Sequence, residues 1–427
     1  MATEAGFEEI KRFERDLGQC MKCGFCIYWC PVYQEERIES SVARGKNMII
    51  RGLLAGDLNY TKEYADRLNK CTLCMTCTAN CPAKTNIPNV IVAGRADVVR
   101  AQGLRFPYNI VYRSILPRRR LFGNIVRLAS WFQGIFLPRT QGTIRHLSMF
   151  LSALGKGRHI PQIAPRFLRQ TVPVVNRPPE GVATKMKVGY FTGCMTDFVF
   201  PDLGKHIVDF LTRNGVEVIV PREQGCCGAP VFLGAGDFET GRKMADANIR
   251  AFKDIDYIIT DCATCASALI DYKKFLADTP EREEAYAKFG EKVKDISQFL
   301  VDILKLPASA YQAVPGVKGK KVTWHDPCHL VRYLGIKDQP RQIIKSIPDI
   351  EYIEMPDADR CCGMAGSFSL YYYDLSKKIA DKKVEAIKST GADIVVSSCP
   401  GCEIQLIDSL LRNKVPVKVM HIMELLA

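Results

Sequence analysis

A chain of 427 residues is long enough for two or three domains, each able to bury a core without disulfide staples. Its eighteen cysteines fall in close-spaced groups, which argues against a secreted disulfide scaffold and for metal held by reduced thiols. The formal charge of +13 is concentrated: fourteen Lys or Arg and no acid stand between Asp97 and Glu180, a pattern that fits an anionic membrane face or an acidic partner better than nucleic acid.

The first twenty residues, MATEAGFEEIKRFERDLGQC, carry acids and lack the basic start, apolar centre and cleavage site of a signal peptide. With no run of eighteen apolar residues anywhere, the expected location is the cytoplasm, with peripheral contact on the inner membrane face as an option.

Residues 5–100 read as loops and short helices organised by two cysteine runs. Cys20, Cys23, Cys26 and Cys30 before Pro31 make C-x2-C-x2-C-x3-C-P, and Cys71, Cys74, Cys77 and Cys81 before Pro82 repeat it. This is the spacing of bacterial ferredoxins, in which the fourth cysteine of each run serves the other cluster. The expected sets therefore cross over: Cys20, Cys23, Cys26 and Cys81 hold one 4Fe-4S cubane, and Cys71, Cys74, Cys77 and Cys30 the other. Zinc takes four ligands, usually as two separated pairs, and fits these runs poorly.

From 101 to 183 the sequence is basic and rich in proline, closing on Asn176-Arg-Pro-Pro179, which reads as a hinge. Within it Leu121, Ile125, Leu128, Phe132 and Ile135 recur at helical spacing beside Trp131 and arginines 118–120, 127 and 139. The pattern predicts an amphipathic helix across 118–139, which packs on the protein's own body, on a partner subunit or on a membrane surface. Arg95, Arg100 and Arg105, just before it, are expected on a solvated face.

The remainder is a duplication spanning 187–306 and 320–427. Cys194 and Cys328 differ by 134 positions, the pairs Cys226-Cys227 and Cys361-Cys362 by 135, and Cys262 and Cys265 differ from Cys399 and Cys402 by 137. Each copy reads as a strand ending in a cysteine, a helix, a Cys-Cys-Gly turn, a long helix, a second strand and Cys-x-x-Cys opening another helix, which predicts two small α/β units.

These five-cysteine units resemble the CCG domain of the heterodisulfide reductase family. With the preceding ferredoxin module, the layout is similar to the iron-sulfur subunits of heterodisulfide reductase, glycolate oxidase and anaerobic glycerol-3-phosphate dehydrogenase. The resemblance implies an α+β multidomain chain: a helical two-cluster ferredoxin module followed by two α/β CCG units. It implies that a complete set (Cys194, Cys226, Cys227, Cys262, Cys265; Cys328, Cys361, Cys362, Cys399, Cys402) holds a noncubane 4Fe-4S cluster, giving one or two such clusters beside the cubanes.

His325 and His329 flank Cys328 in WHDPCHL. Either would serve as a proton donor at a sulfur-based centre, or would simply cap a helix or order a loop. No G-x-G-x-x-G fingerprint is present, so flavin and nicotinamide are expected on another polypeptide. The expected role is an electron-transfer subunit linking a flavoprotein dehydrogenase or electron-transferring flavoprotein to a quinone, b-type cytochrome or low-potential acceptor. The alternative is a catalytic subunit that reduces a disulfide at a noncubane cluster.

Overall fold

The computed structural model describes residues 7–136, 139–141, 144–146 and 158–427, with side chains given through 133 and again from 158. The N-terminal unit is built around one long helix, Ile87–Gln102, which starts with the Asn86 side chain accepting from Asn89 N and Pro88 in its first turn. It is buried on almost every side, through Val90, Ile91, Val92, Ala93, Ala96 and Asp97. Around it stand short helices such as Phe25–Trp29, Pro31–Glu36 and Thr76–Ala79, and the longer Ala43–Leu54.

That burial corrects the expectation for Arg95. Instead of facing water it is 4% exposed and donates to the carbonyls of Leu68, Asn69, Cys71 and Leu233 at 2.9–3.4 Å. The helix has no solvated face at this point because other units close over it: a Cβ on Gly236 (φ +83°) would sit 2.4 Å from the Arg95 carbonyl carbon. Arg100 is half-exposed and pairs with Glu8 and Glu9, while Arg105 is exposed as expected. Replacing Arg95 by Met strands buried carbonyls and should cost about 2–3 kcal/mol, read as a lower thermal midpoint of the intact chain.

The basic segment forms a helix, Arg119–Phe136, followed by a three-stranded antiparallel meander of Arg139–Gln141, Ile144–His146 and His159–Pro161. The helix docks through Arg119, which pairs with Asp197, through Phe122 edge-on to Phe198 at 5.2 Å, and through Gln133 hydrogen-bonded to Ile163. Its apolar row faces outward: Leu128, Phe132 and Trp131 are 53%, 47% and 70% exposed. Ile135, Pro138 and Arg139, the end of the expected amphipathic face, lie outside the residues whose side chains are described. Of the segment read as a hinge, Asn176 belongs to the strand Val175–Asn176, an antiparallel edge on the first α/β sheet, and residues 177–179 are irregular.

The two α/β units share one topology. In the first, Val216–Ile219, Met186–Tyr190, Ile258–Thr260 and Val293–Asp295 lie side by side and parallel. In the second, Glu351–Ile353, Lys321–Trp324, Ile394–Ser397 and Lys418–His421 follow the same order. The chain order reverses beside the central strand, so a crevice opens at the carboxyl ends of Met186–Tyr190 and Ile258–Thr260, and likewise of Lys321–Trp324 and Ile394–Ser397. Both crevices are where the cysteines fall.

Candidate iron-sulfur centres

Each C-x2-C-x2-C loop turns back on itself by the same device. Lys22 and Gly24 in the first run, and Leu73 and Met75 in the second, all take left-handed backbone, one residue either side of the middle cysteine. The thiols then converge. One cavity is lined by Cys20, Cys23, Cys26 and Cys81, with Cys77 at its edge; the next is lined by Cys30, Cys71, Cys74 and Cys77. Cys23 is exposed and Cys74 buried, so the first cavity opens to the surface and the second lies inside. Met21, Phe25, Tyr28 and Trp29 form an exposed apolar rim beside Cys23.

The thiol chemistry suits iron. Burial pushes Cys30 up to about 12 and Cys77 well above the ordinary thiol range, so these groups ionise when a metal takes the place of the proton. Cys81 is also desolvated, but a hydroxyl from Thr85 at 3.2 Å and nearby backbone amides draw it down. All eighteen cysteines are free. Two cations on the helix Ala43–Leu54 approach the cavities: Arg44 lines the first and Lys46, 1% exposed, lines the second.

In the first α/β unit Cys194 opens a short helix after Met186–Tyr190, Cys226 and Cys227 stand on a tight turn, and Cys262 precedes the helix Ala263–Ile270 that carries Cys265. Their thiols stand in series, each perturbed electrostatically by the next: Cys194 by Cys226, Cys226 by Cys227, Cys227 by Cys265, and Cys265 by Cys262. In the second unit Cys328 meets Cys361, Cys362 meets Cys402, and Cys402 meets Cys399. The turns are alike to the hydrogen bond, with Gly228 N donating to Cys226 Sγ and Gly363 N to Cys361 Sγ, each at 3.4 Å. Both glycines are left-handed, at φ +81° and +87°.

Two further contacts link the groups. Cys262 meets Cys399 where the two α/β units abut, an interface closed by Thr264 Oγ1 3.5 Å from Cys399 Sγ and His421 Nε2 2.9 Å from the Asp261 carbonyl. Cys74, in the inner ferredoxin cavity, meets Cys361 of the second unit. Tyr333 OH donates to the Leu73 carbonyl at 2.7 Å alongside that contact.

The two histidines differ in placement. His325 is 1% exposed, its ring nitrogens have no hydrogen-bond partner among the described residues, and it stands with the Cys362 and Cys402 sulfurs within 4.8 Å. His329 stacks on Tyr333 at 4.4 Å and places Nδ1 2.6 Å from Ser267 Oγ. Burial pulls it down to about 4, so it is neutral at neutral pH. Lys46 and Lys383 were not singled out in the sequence. The signal for Lys383 lay in the duplication, where KMADAN (243–248) overlays KIADKK (378–383) and Asn248 falls on Lys383.

Comparison with known proteins agrees with this arrangement. The cysteine-rich CCG domain matches residues 188–270 and 322–407, and the 4Fe-4S dicluster domain matches 16–85. The probable glycolate oxidase iron-sulfur subunit of Bacillus subtilis (strain 168) is 30% identical over 453 residues, covering 100% of this chain and 98% of that protein. The chain belongs to this iron-sulfur subunit family. It binds 4Fe-4S clusters and is an iron-sulfur component of oxidoreductase chemistry.

Other members of the comparison extend the family. One subunit of the fumarate reductase (CoM/CoB) of Methanothermobacter marburgensis is 29% identical over 424 residues, 96% of this chain and 72% of that protein. Lactate utilization protein A of Halalkalibacterium halodurans is 33% identical over 243 residues, 56% of this chain and 96% of that protein. A crystal structure of a hypothetical protein from Helicobacter pylori shares the fold, with a TM-score of 0.51 at 10% identity, over 99% of this chain and 71% of that one.

Proposed function

We propose that this iron-sulfur protein conducts electrons between a flavoprotein and a quinone, b-type cytochrome or low-potential acceptor, through two cubane and two noncubane clusters. The observation that carries the reading is the continuity of the sulfurs. Cys77 borders both ferredoxin cavities, Cys74 meets Cys361, and Cys399 meets Cys262. The cubanes take Cys20, Cys23, Cys26 and Cys81, and Cys71, Cys74, Cys77 and Cys30; each CCG unit's five cysteines hold a noncubane cluster. When bound, such clusters supply one-electron redox steps.

The flavoprotein docks at the apolar rim around Cys23, where the outer cubane is nearest the surface. Anoxic affinity purification from the native host tests the assignment. A co-purifying flavin subunit is the expected result; a b-type cytochrome without flavin overturns it.

The exposed face of the helix Arg119–Phe136 supports peripheral contact with an anionic membrane. No described helix is long and apolar enough to cross a bilayer, and Leu128, Trp131 and Phe132 project beside the exposed Arg118, Arg120 and Arg127. Trp131→Glu should weaken sedimentation with anionic phospholipid vesicles by more than tenfold, the equivalent of about 2 kcal/mol of buried aromatic surface. Unchanged sedimentation assigns that face to a protein partner.

The meeting of the two CCG cysteine sets at Cys262 and Cys399 favours one second reading, a catalytic subunit that reduces a disulfide. Two electrons and two protons would convert the disulfide to two thiols, with His325 as proton donor and His329, neutral at neutral pH, passing a proton on through its hydrogen bond to Ser267. Disulfide-dependent reoxidation of the dithionite-reduced chain, free of partners, separates this reading from a conduit.

A further inference from the structure

The two CCG units carry identical cysteine sets in different electrostatic surroundings. Their backbones match closely enough to compare positions: Phe191 N donates to the Ile259 carbonyl at 2.8 Å, and its counterpart His325 N donates to the Val396 carbonyl at 2.9 Å. Below the Cys-Cys-Gly turn of the first unit stands Asn248, fully buried and neutral. Its amide accepts from Gly225 N at 2.8 Å and donates to the Cys226 carbonyl at 3.0 Å.

Below the second turn stands Lys383, also 0% exposed. Its Nζ donates to the Asp357 and Ala358 carbonyls at 2.6 and 3.0 Å and lies 3.8 Å from Met355 Sδ. Among the described residues no carboxylate ion-pairs with it. The nearby acids are already engaged, Asp326 with Arg341 at 2.8 Å and Asp359 with Arg332 at 2.6 Å. Desolvation lowers the ammonium to about 8, opposed first by Cys362, and it stays charged at neutral pH. In the first unit the cations acting on Cys194 are Arg119 and Arg169, both paired with the carboxylate of Asp197.

We propose that Lys383 makes the second CCG centre the more oxidising of the two, so that an electron arriving from the ferredoxin module across the Cys74–Cys361 contact comes to rest there before the first unit receives one. This rests on the reading of both five-cysteine sets as redox centres. Reduction adds one negative charge to an anionic thiolate site, and a fixed ammonium in a water-excluded pocket stabilises that charge more than a neutral amide does. Lys383 is a tuning residue here; it touches neither substrate nor acceptor.

The test is an anoxic redox titration of the full iron-loaded chain followed by electron paramagnetic resonance, with Cys226→Ser and Cys361→Ser identifying which signal belongs to which unit. In the wild-type protein the second centre should be reduced first, its equilibrium at least tenfold more favourable, about 59 mV for one electron. Lys383→Gln keeps a donor toward the two carbonyls, and should move the second centre tenfold the other way while leaving the first unmoved; Lys383→Arg should restore it. Equal midpoints in the wild type, or a second centre indifferent to Lys383→Gln, overturns the inference. Iron content unchanged by Cys361→Ser overturns instead the reading on which it rests.

Discussion

A Cys74→Ser chain is expected to lose about four iron atoms and, with them, the transfer of electrons from the ferredoxin module to the CCG units. Cys74 is buried, lines the inner cavity with Cys30, Cys71 and Cys77, and faces Cys361 across the boundary between modules. That boundary is held by the Tyr333–Leu73 hydrogen bond and by the helix Pro31–Glu36 against Tyr373–Ser389, where Lys382 pairs with Glu35 and Val32 packs with Ile379. The loss should exceed the ~10–100-fold that follows removal of a supporting contact around a metal ligand, because here the ligand itself goes. The measurement is stopped-flow: chemical reduction of the outer cubane should proceed at the wild-type rate, while bleaching of the CCG signals stalls. Bleaching at the wild-type rate would mean that electrons enter the CCG units by another route. Cys23→Ser is the contrasting variant: it removes a ligand of the outer cubane, so the signal lost should be that of the outer cluster.

Most of this arrangement was legible from spacing, because metal ligation ties residue type to sequence interval. The crossed sets are an instance: the cavity containing Cys20, Cys23 and Cys26 also contains Cys81, and the cavity of Cys71, Cys74 and Cys77 contains Cys30. The doubled α/β unit was equally legible, since strand periodicity and the repeated cysteine offsets coincide in one register.

What spacing could not convey is which face a residue turns once three units have closed on one another. Arg95 reads as a surface charge because helix charges usually are, yet its helix is walled by Leu68 on one side and Leu233 on the other, and four carbonyls replace water. His325 precedes a helix start and reads either as a cap or as a proton donor at sulfur, and its strand carries the ring toward Cys362 and Cys402. The apolar row on Arg119–Phe136 left open whether it faces the protein's own body, a partner or a membrane, and the structure packs Phe122 on Phe198, buries Gln133 and leaves Trp131 outside. In each case the sequence carries the local periodicity and the tertiary packing chooses the orientation.

Removing iron should unfold the ferredoxin module selectively. Its cysteine-bearing segments hold helices of only four to six residues, Phe25–Trp29, Pro31–Glu36 and Thr76–Ala79, far below the length at which a helix persists on its own in water. The residues in left-handed backbone between the cysteines, Lys22, Leu73 and Met75, carry side chains that disfavour that conformation, so the loops need something to hold them. Thiolate–iron bonds supply that restraint, and for small metal-organised domains the linked folding free energy is of the order of ~10 kcal/mol. The CCG units are different, each with a sheet built on four parallel strands and buried Val and Ile such as Val188, Ile258, Val322 and Val395 at 0% exposure, and do not depend on metal for a core. Hydrogen exchange read by mass spectrometry on the chelator-treated chain should therefore show residues 20–81 exchanging fast, the strands at 186–190 and 394–397 still protected, and Ile87–Gln102 intermediate, since Gly236 holds it against the first CCG unit. Retained protection across 20–81 would mean that packing alone fixes these loops and that the metal is bound by a site already folded.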